Sequence, residues 1–150
     1  MDKEIINNIK KLDKPGRDKF IELCKRLNIK YIEPSREDLC YDCLIEYKGK
    51  QYIVELKNRS SKYKNYDTLF LEKGKYERLL NNIKKLNVNG AYYICWIDND
   101  AYIYNIKESF ITENLQEKWM NNITADKNTK KISKLVYILK KSDAKILHLD

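Results

Sequence analysis

Histidine is almost absent from this sequence, since His148 is the only one among 150 residues and lies two residues from the end. A histidine-based nuclease or a Ser/His/Asp hydrolase needs an imidazole beside its nucleophile or its attacking water. We therefore exclude both classes of enzyme for this chain.

Cysteine is also scarce. Four residues, Cys24, Cys40, Cys43 and Cys95, are too few for a disulfide scaffold in a chain of this length, and we expect free, buried thiols. The pair Cys40-x-x-Cys43 is not followed by a second closely spaced pair, and residues three apart on a strand point to opposite faces. We therefore do not expect a structural zinc site.

Long apolar runs are missing. No stretch of 18 apolar residues occurs, and the N-terminal residues M-D-K-E-I-I-N-N lack the apolar segment of a signal peptide. We expect a soluble, cytoplasmic protein without a membrane partner.

Size and charge narrow the class further. A chain of 150 residues with 43% hydrophobic content can form one domain, residues 1–150, around a real core. The net charge is +8, with 30 Lys plus Arg against 22 Asp plus Glu, which favours binding to polyanions such as nucleic acid. An equally open explanation is a genome rich in Lys, Asn, Ile and Tyr codons, because Lys-rich faces are often only solvated surface.

Hydrophobic periodicity predicts a mixed order of helices and strands. Apolar residues at helical or alternating spacing, with turn residues between them, define the segments. The order favours an α/β fold with a central mixed β-sheet flanked by helices. The segments are helices at 3–12 and 17–28 separated by Pro15-Gly16, a hairpin at 39–57, a helix at 76–86, a hairpin at 91–106, a helix spanning Ile111 to Trp119, a basic loop at 124–131 and a strand at 134–140.

The first hairpin brings charged residues together. A type II′ turn at Gly49-Lys50 would pair Lys48 with Gln51 and place Asp42 opposite Lys57. In this register Asp42, Glu55 and Lys57 lie on one face of the sheet, within reach across the strands.

Two carboxylates beside a lysine suit phosphodiester hydrolysis. Carboxylate oxygens are hard ligands for Mg²⁺ or Mn²⁺, and the metal can lower the pKa of a bound water. A lysine can orient that water or offset the negative charge of the transition state. We predict Asp42 and Glu55 as metal ligands and Lys57 as a catalytic residue.

These residues and their order resemble the PD-(D/E)XK nuclease superfamily. The similarity covers about residues 13–106: a helix, Asp42, a hairpin turn, Glu55-Leu56-Lys57 at the end of the next strand, a basic loop and another helix. The resemblance implies a restriction-endonuclease-like αβββαβ core. The superfamily includes Holliday-junction-resolvase-like and small phage-type members.

The resemblance also implies further site residues. The segment Y-D-T-L-F-L-E-K-G-K-Y-E-R-L-L is similar to phage-type members in which the helix carries a lysine towards nucleic acid, so Lys75 is predicted for that role. Many members add a glutamate from the first core helix to the metal site, and Glu22 matches by position. The helical wheel, however, directs Glu22 away from the apolar face. Tyr41 stands where the motif has proline.

The loop after the second hairpin strand is basic. Arg59, Lys62 and Lys64 leave the predicted metal centre directly, where they can hold a phosphate backbone. These three residues could also form an ordinary solvated surface.

Asp42, Glu55 and Lys57 have an alternative as well: a cross-strand ion pair on a solvated face, which contributes ~0–1 kcal/mol to stability. Against the ion pair, Glu55 lies between Val54 and Leu56 in a strand that we expect to be central.

The sequence therefore predicts a Mg²⁺- or Mn²⁺-dependent endonuclease that cuts DNA, with branched DNA as one candidate substrate. A homodimer fits the cutting of two strands, which usually takes two sites. A phage or mobile-element origin is implied by the resemblance. The alternative is a catalytically inactive nucleic-acid-binding or inhibitor protein that retains the nuclease fold.

Overall fold

Helices and strands alternate along the chain much as the periodicity predicts. The computed structural model describes residues 3–33, 41–107, 115–121 and 131–150. In chain order its elements are α1 (Lys3–Leu27), β1 (Lys30–Ile32), β2 (Cys43–Tyr47), β3 (Lys50–Arg59), a 3-10 turn (Ser61–Asn65), β4 (Thr68–Glu72), α2 (Lys73–Leu86), β5 (Gly90–Ile97), β6 (Asp100–Ile106), β7 (Leu115–Asn121), β8 (Lys131–Lys140), a second 3-10 turn (Lys141–Asp143) and β9 (Lys145–His148).

Six strands form the main sheet, in the order β1-β2-β3-β5-β6-β9. β3 and β5 are parallel, while the other neighbours in this sheet are antiparallel. A parallel pair needs a crossover connection, which β4 and α2 provide. The predicted α/β fold with a central mixed sheet and an αβββαβ core is confirmed, and β3 lies inside the sheet with a partner on each side.

The two faces of the main sheet bury different elements. On one face, here called the α1 face, Phe20 and Leu23 of α1 pack with Val54 and Leu56 of β3. The opposite face, the α2 face, is covered by α2 and by a small sheet of three strands in the order β4-β8-β7. Alternation along β3 therefore decides which helix each of its side chains meets. The α2-face core includes Ile53, Leu69, Leu71, Tyr76, Leu79, Tyr93 and Leu139.

α1 differs from its prediction because it runs through Pro15 without interruption. Proline inside a helix lacks an N–H and so loses one backbone hydrogen bond, but a long helix packed on a sheet can tolerate the loss. Gly16 follows, and a Cβ built there would lie 3.4 Å from Cβ of Asn58 and 3.6 Å from Trp96. The small residue thus lets the helix lie close to β3 and β5.

The helix predicted between Ile111 and Trp119 is wrong over its second part. Residues 115–121 form β7, which pairs with β8 in the small sheet, whereas Ile111 lies outside the described residues. Leu115 and Trp119 are four residues apart, and this spacing fits one face of a strand as well as one face of a helix. The basic loop predicted at 124–131 falls largely outside the described residues.

The first hairpin forms, but in a different register from the predicted one. Tyr47 pairs with Lys50 and Leu44 with Ile53, so the turn is Lys48-Gly49 rather than Gly49-Lys50. Both turn residues have positive φ, 52° and 75°, as a type I′ turn requires. The prediction failed because lysine rarely adopts positive φ, which favoured glycine at the first central position.

Three cysteines are buried without disulfides, as predicted: Cys24, Cys43 and Cys95. Burial raises the pKa of the Cys24 thiol to about 12, so it remains protonated at neutral pH. Within the described part of the chain, the helices are too short or too polar to cross a lipid bilayer.

The edge pairing of β9 with β6 carries a pH-sensitive contact. His148 is the ladder partner of Asp100, and its Nδ1 lies 2.6 Å from Asp100 Oδ1 while its Nε2 lies 3.0 Å from Asp150 Oδ1. The hydrogen bond to Asp100, followed by the charges of Asp100 and Asp150, raises the pKa of His148 above its usual value. The contact therefore stabilises the fold fully below about pH 6.5 and is lost as pH rises through the folded-state pKa.

We expect an NMR titration of His148 to give a pKa above 6.5. Asp100→Asn should move that pKa down, because the charged acceptor is removed. The protection of the β9 amides, taken relative to their intrinsic exchange rate at each pH, should fall as the pH rises through the folded-state pKa. An unchanged pKa in Asp100→Asn would contradict the contact.

Candidate active site

Glu55 is a buried carboxylate in the middle of the main sheet. It lies on β3 on the α2 face, two residues after Ile53, and it is the buried charged residue among the described side chains. Lys75 Nζ, from the first turn of α2, donates a hydrogen bond of 2.9 Å to Glu55 Oε1. A charge taken out of water is tolerated when it is paired in this way.

Asp42 reaches the same point of β3 from the neighbouring strand. Its backbone N–H donates to the Val54 carbonyl oxygen at 2.9 Å. Its side-chain Oδ2 accepts the Leu56 N–H at 2.7 Å. The Asp42 carboxylate therefore lies against the peptide unit that joins Glu55 to Leu56, next to the residue that carries the second carboxylate.

The unequal lengths of two strands explain this position. β2 begins at Cys43, opposite Val54, whereas β3 continues to Arg59. Beyond Val54 the edge of β3 has no β2 residue to pair with, and the Asp42 carboxylate accepts the first N–H that would be left over. The corrected register thus places Asp42 beside Glu55 rather than opposite Lys57.

Three cationic side chains border the carboxylates. Arg17 of α1 lies 4.0 Å from Asp42 Oδ1, and Lys75 pairs with Glu55. Lys57 follows Glu55 by two residues on β3, which places it on the same face of the sheet. The structure therefore places Lys57 on the sheet face that carries Glu55, and it adds Arg17 beside Asp42 and Lys75 beside Glu55.

Lys75 is charged and held in place. Burial lowers its pKa, but the charge of Glu55, the hydrogen bond to Glu55 and the charges of Glu72 and Asp42 outweigh burial, so the pKa is raised. The next residue, Tyr76, is buried, and its hydroxyl donates to the Lys107 carbonyl oxygen at 2.6 Å. This contact fixes the start of α2 and with it the direction of Lys75.

Glu22 lies apart from this cluster. It is exposed on α1, where its Oε1 is 3.2 Å from Arg26 Nε one turn along the helix. The packing residues of α1 meet the opposite face of the sheet from the one that carries Glu55. The structure does not bring Glu22 to the two carboxylates, because the sheet itself lies between them.

The basic segment after β3 divides into residues with different surroundings. The Arg59 guanidinium is largely enclosed, 4.0 Å above the Phe70 ring, and its Nη2 is 3.5 Å from the Phe70 carbonyl oxygen. Lys64 pairs with Asp98 at 2.5 Å, and Lys62 is exposed beside the Tyr63 ring. The three residues predicted to hold a phosphate backbone are thus not one continuous surface.

Sequence reasoning missed Arg17 as a neighbour of Asp42 and assigned Lys75 to nucleic acid rather than to Glu55. Arg17 is the first residue of the predicted helix 17–28 and precedes its apolar residues, so periodicity alone gives it no role. Lys75 lies in the first turn of α2. The sequence indicates its position next to a helix but not that its partner is the Glu55 carboxylate.

The Asp42 hydrogen bond has a measurable effect on stability. Asp42→Ala is expected to lower the free energy of unfolding by about 1–2 kcal/mol, because the half-buried Leu56 N–H loses its acceptor. Asp42→Asn keeps an acceptor and should lose less. Urea denaturation measures both, and equal losses would show that the hydrogen bond is not the cause.

The donor set limits which cation fits. Among the described residues, no group of three or more His, Cys, Asp or Glu side chains is arranged to hold a metal. Asp42 and Glu55 supply two carboxylates, and a strand residue directs its N–H and C=O to the same edge, so the Leu56 carbonyl adds an oxygen on the Asp42 side. Mg²⁺ uses one or two carboxylates plus waters and substrate phosphates, so two carboxylates are a donor set of the kind that Mg²⁺ or Mn²⁺ accepts.

Comparison with known proteins supports the fold. No protein-family model and no curated protein sequence matches the chain. Its structure is similar to that of Hjc, a Holliday junction resolvase from the archaeal hyperthermophile Archaeoglobus fulgidus, with a TM-score of 0.51 and 16% sequence identity. The match covers 84% of this chain and 88% of the resolvase chain, and at this identity it shows a shared fold.

Proposed function

We propose that this protein is a metal-dependent nuclease of the PD-(D/E)XK superfamily that hydrolyses DNA phosphodiester bonds. We start from the fold that the chain shares with a Holliday junction resolvase. The observation that carries it is the hydrogen bond of the Asp42 carboxylate to the peptide unit that follows Glu55 on a central strand, with Lys75 paired to Glu55. Asp42 and Glu55 are both mostly buried, whereas the carboxylates of an ordinary surface ion pair are solvated. Buried, interacting carboxylates are typical of functional sites.

Asp42 and Glu55 are the residues that would hold Mg²⁺ or Mn²⁺ in this proposal. When bound, the metal supplies a water of lowered pKa and stabilises negative charge on the phosphoryl oxygens. Glu22 is not included in this set, since it lies across the sheet.

The lysines complete the site. Lys57, on the same face as Glu55, would orient the attacking water or receive its proton. Lys75 has a carboxylate partner in the free protein, and its ammonium would turn to the scissile phosphate once Glu55 has another partner. Both ammonium groups lie on the α2 face of the main sheet, where Glu55 also lies.

The substrate is proposed to be DNA, with branched DNA as the candidate that the resolvase fold suggests. The net charge of +8 favours a polyanion, although its distribution does not select a shape. Cutting both strands of a duplex or a junction needs two such sites, so we propose a homodimer as the active form.

One observation favours a second function. The Lys75 ammonium already satisfies Glu55 at 2.9 Å, as it would in a protein that binds nucleic acid without cutting it. The alternative is therefore a catalytically inactive nucleic-acid-binding or inhibitor protein with the nuclease fold.

A cleavage assay distinguishes the two. We expect the protein to cut linear duplex or four-way-junction DNA with Mg²⁺ or Mn²⁺ and not with EDTA, and Glu22→Gln to cut at the unmodified rate. Binding of both DNAs without cleavage in any divalent metal would favour the alternative. Cleavage that survives EDTA would exclude the proposed metal site.

A further inference from the structure

A groove separate from the carboxylates lies between the turn Ser61–Asn65 and the small sheet. We call it the aromatic groove; its volume is 720 Å³, within the range of sites that bind small organic groups. Its walls combine aromatic rings with cationic side chains. The residues that matter are Lys62, Tyr63, Tyr66, Phe70, Lys118 and Ile138.

Cations gather on the rings of this groove. Lys118 Nζ lies 3.9 Å and the Arg59 guanidinium 4.0 Å from the centre of the Phe70 ring. Lys62 Nζ lies 5.7 Å from the centre of the Tyr63 ring. Cation–π contacts position these groups without neutralising their charge.

The cationic side chains of the groove outnumber the carboxylates among its described lining residues. In the part of the chain that the structure describes, Arg59, Lys62 and Lys118 form no ion pair with a carboxylate, although Asp67 is at the wall. Burial and the neighbouring charges of Arg59 and Lys62 lower the pKa of Lys118. An anion in the groove would relieve this repulsion.

One ring remains available for a flat partner. Tyr66 is 51% exposed, and its ring meets Tyr63 edge-on, with centres 5.5 Å apart and planes at 85°. Cationic groups beside an open aromatic face match the chemistry of a nucleotide, because the phosphate pairs with the cations and the base stacks on the ring. An acidic peptide would use the cations but not the ring.

The groove also lies at a useful place relative to Glu55. Arg59 is four residues further along β3, hence on the same face and roughly 13 Å away. Its Nη2 contacts the Phe70 carbonyl oxygen, which ties that end of β3 to the groove wall. A DNA strand held at Glu55 can therefore extend to the groove.

We propose that the aromatic groove binds unpaired nucleotides, with a base against Tyr66 and backbone phosphates against Lys62 and Lys118. The inference rests on the proposed function for the identity of the ligand as nucleic acid. It adds that the preferred DNA has single-stranded nucleotides a short distance from the bond that is cut. Duplex bases, being stacked and paired, cannot reach the ring.

The test is binding of a fluorescein-labelled thymidine 12-mer, measured by anisotropy in EDTA so that no cleavage occurs. Tyr66→Ala should weaken binding by about 5-fold or more, and Tyr66→Phe, which keeps the ring, should not. Lys118→Ala should lower the slope of log affinity against log salt by about 0.7, whereas Tyr66→Ala should leave that slope unchanged.

Tyr47→Ala is the matched control. Tyr47 is 41% exposed and has Lys48 Nζ 5.1 Å from its ring centre, but it lies on the hairpin of β2 and β3, outside the groove. Its removal should leave binding unchanged. Equal losses in Tyr47→Ala and Tyr66→Ala, or no loss in Tyr66→Ala, would overturn the groove.

The outcome is separable from that of the nuclease proposal. If DNA is never cut but 12-mer binding still depends on Tyr66, the nuclease proposal fails and the groove stands. If DNA is cut while Tyr66→Ala binds the 12-mer normally, the groove fails alone. Loss of binding only in Lys118→Ala would show a phosphate contact without stacking and would also reject the proposal.

Discussion

A Glu55→Gln protein is expected to cut DNA about 10³-fold more slowly than the unmodified protein while remaining folded. Glutamine keeps the size of the side chain and an oxygen that can accept from Lys75, but it removes the negative charge that would hold the metal. The metal contributes several kcal/mol of charge stabilisation, and each ~1.4 kcal/mol changes the rate tenfold. Single-turnover cleavage at saturating Mg²⁺ measures the loss, and circular dichroism checks the fold.

Glu46→Gln provides the control for this change. Glu46 is on the neighbouring strand β2, where its Oε2 is 3.9 Å from Lys30 Nζ at the surface. The same chemical change there should leave cleavage within about twofold, since an exposed ion pair contributes little. If Glu55→Gln also retains full activity, Glu55 is not a metal ligand.

A Lys75→Met protein is expected to change metal binding and cleavage in opposite directions. Without the ammonium, the Glu55 carboxylate has no competing cation at 2.9 Å, so Mn²⁺ should bind about 5-fold more tightly, as expected for a pair worth ~1 kcal/mol. Cleavage should fall by about 10²-fold, because the charge that we propose to stabilise the transition state is lost. Titration calorimetry and cleavage at saturating Mn²⁺ separate the two effects.

Thermal unfolding offers a second measurement on the same variant. Methionine leaves Glu55 buried without its partner, so Lys75→Met should melt at a lower temperature without metal and recover when Mn²⁺ is added. Lys73→Met is the control, because Lys73 pairs with Glu77 at 3.1 Å on the outer side of α2. Weaker Mn²⁺ binding in Lys75→Met would show that the lysine supports the site instead of competing for it.

The sequence indicated the site where a charged residue stands among apolar residues of a strand. Glu55 between Val54 and Leu56 indicated a carboxylate in a central strand, and the structure places it there. Asp42 was identified with it although the predicted register was wrong, because the true pairing is displaced by two residues and a shift of two keeps each side chain on the same face. The β5–β6 hairpin was predicted correctly, since D-N-D between two apolar runs marks a turn.

Details that depend on distant residues could not be predicted. The turn at Lys48-Gly49 shifted the pairing because a lysine accepts positive φ there. β4 was not predicted, because Leu69, Phe70 and Leu71 are buried consecutively and show no alternation. The Lys75–Glu55 pair joins elements twenty residues apart, and only the packing of α2 on β3 brings them together.

The parallel pairing of β3 with β5 has a consequence for how the protein is made. Glu55 is in register with Tyr93, which the ribosome adds only after α2. A growing chain therefore carries Asp42, Glu55 and Lys75 before the strand that encloses Glu55 exists, and pairings of this range form slowly. Glu55 therefore gains its neighbour on this side of the sheet, and with it its buried position, only after β5 has left the ribosome.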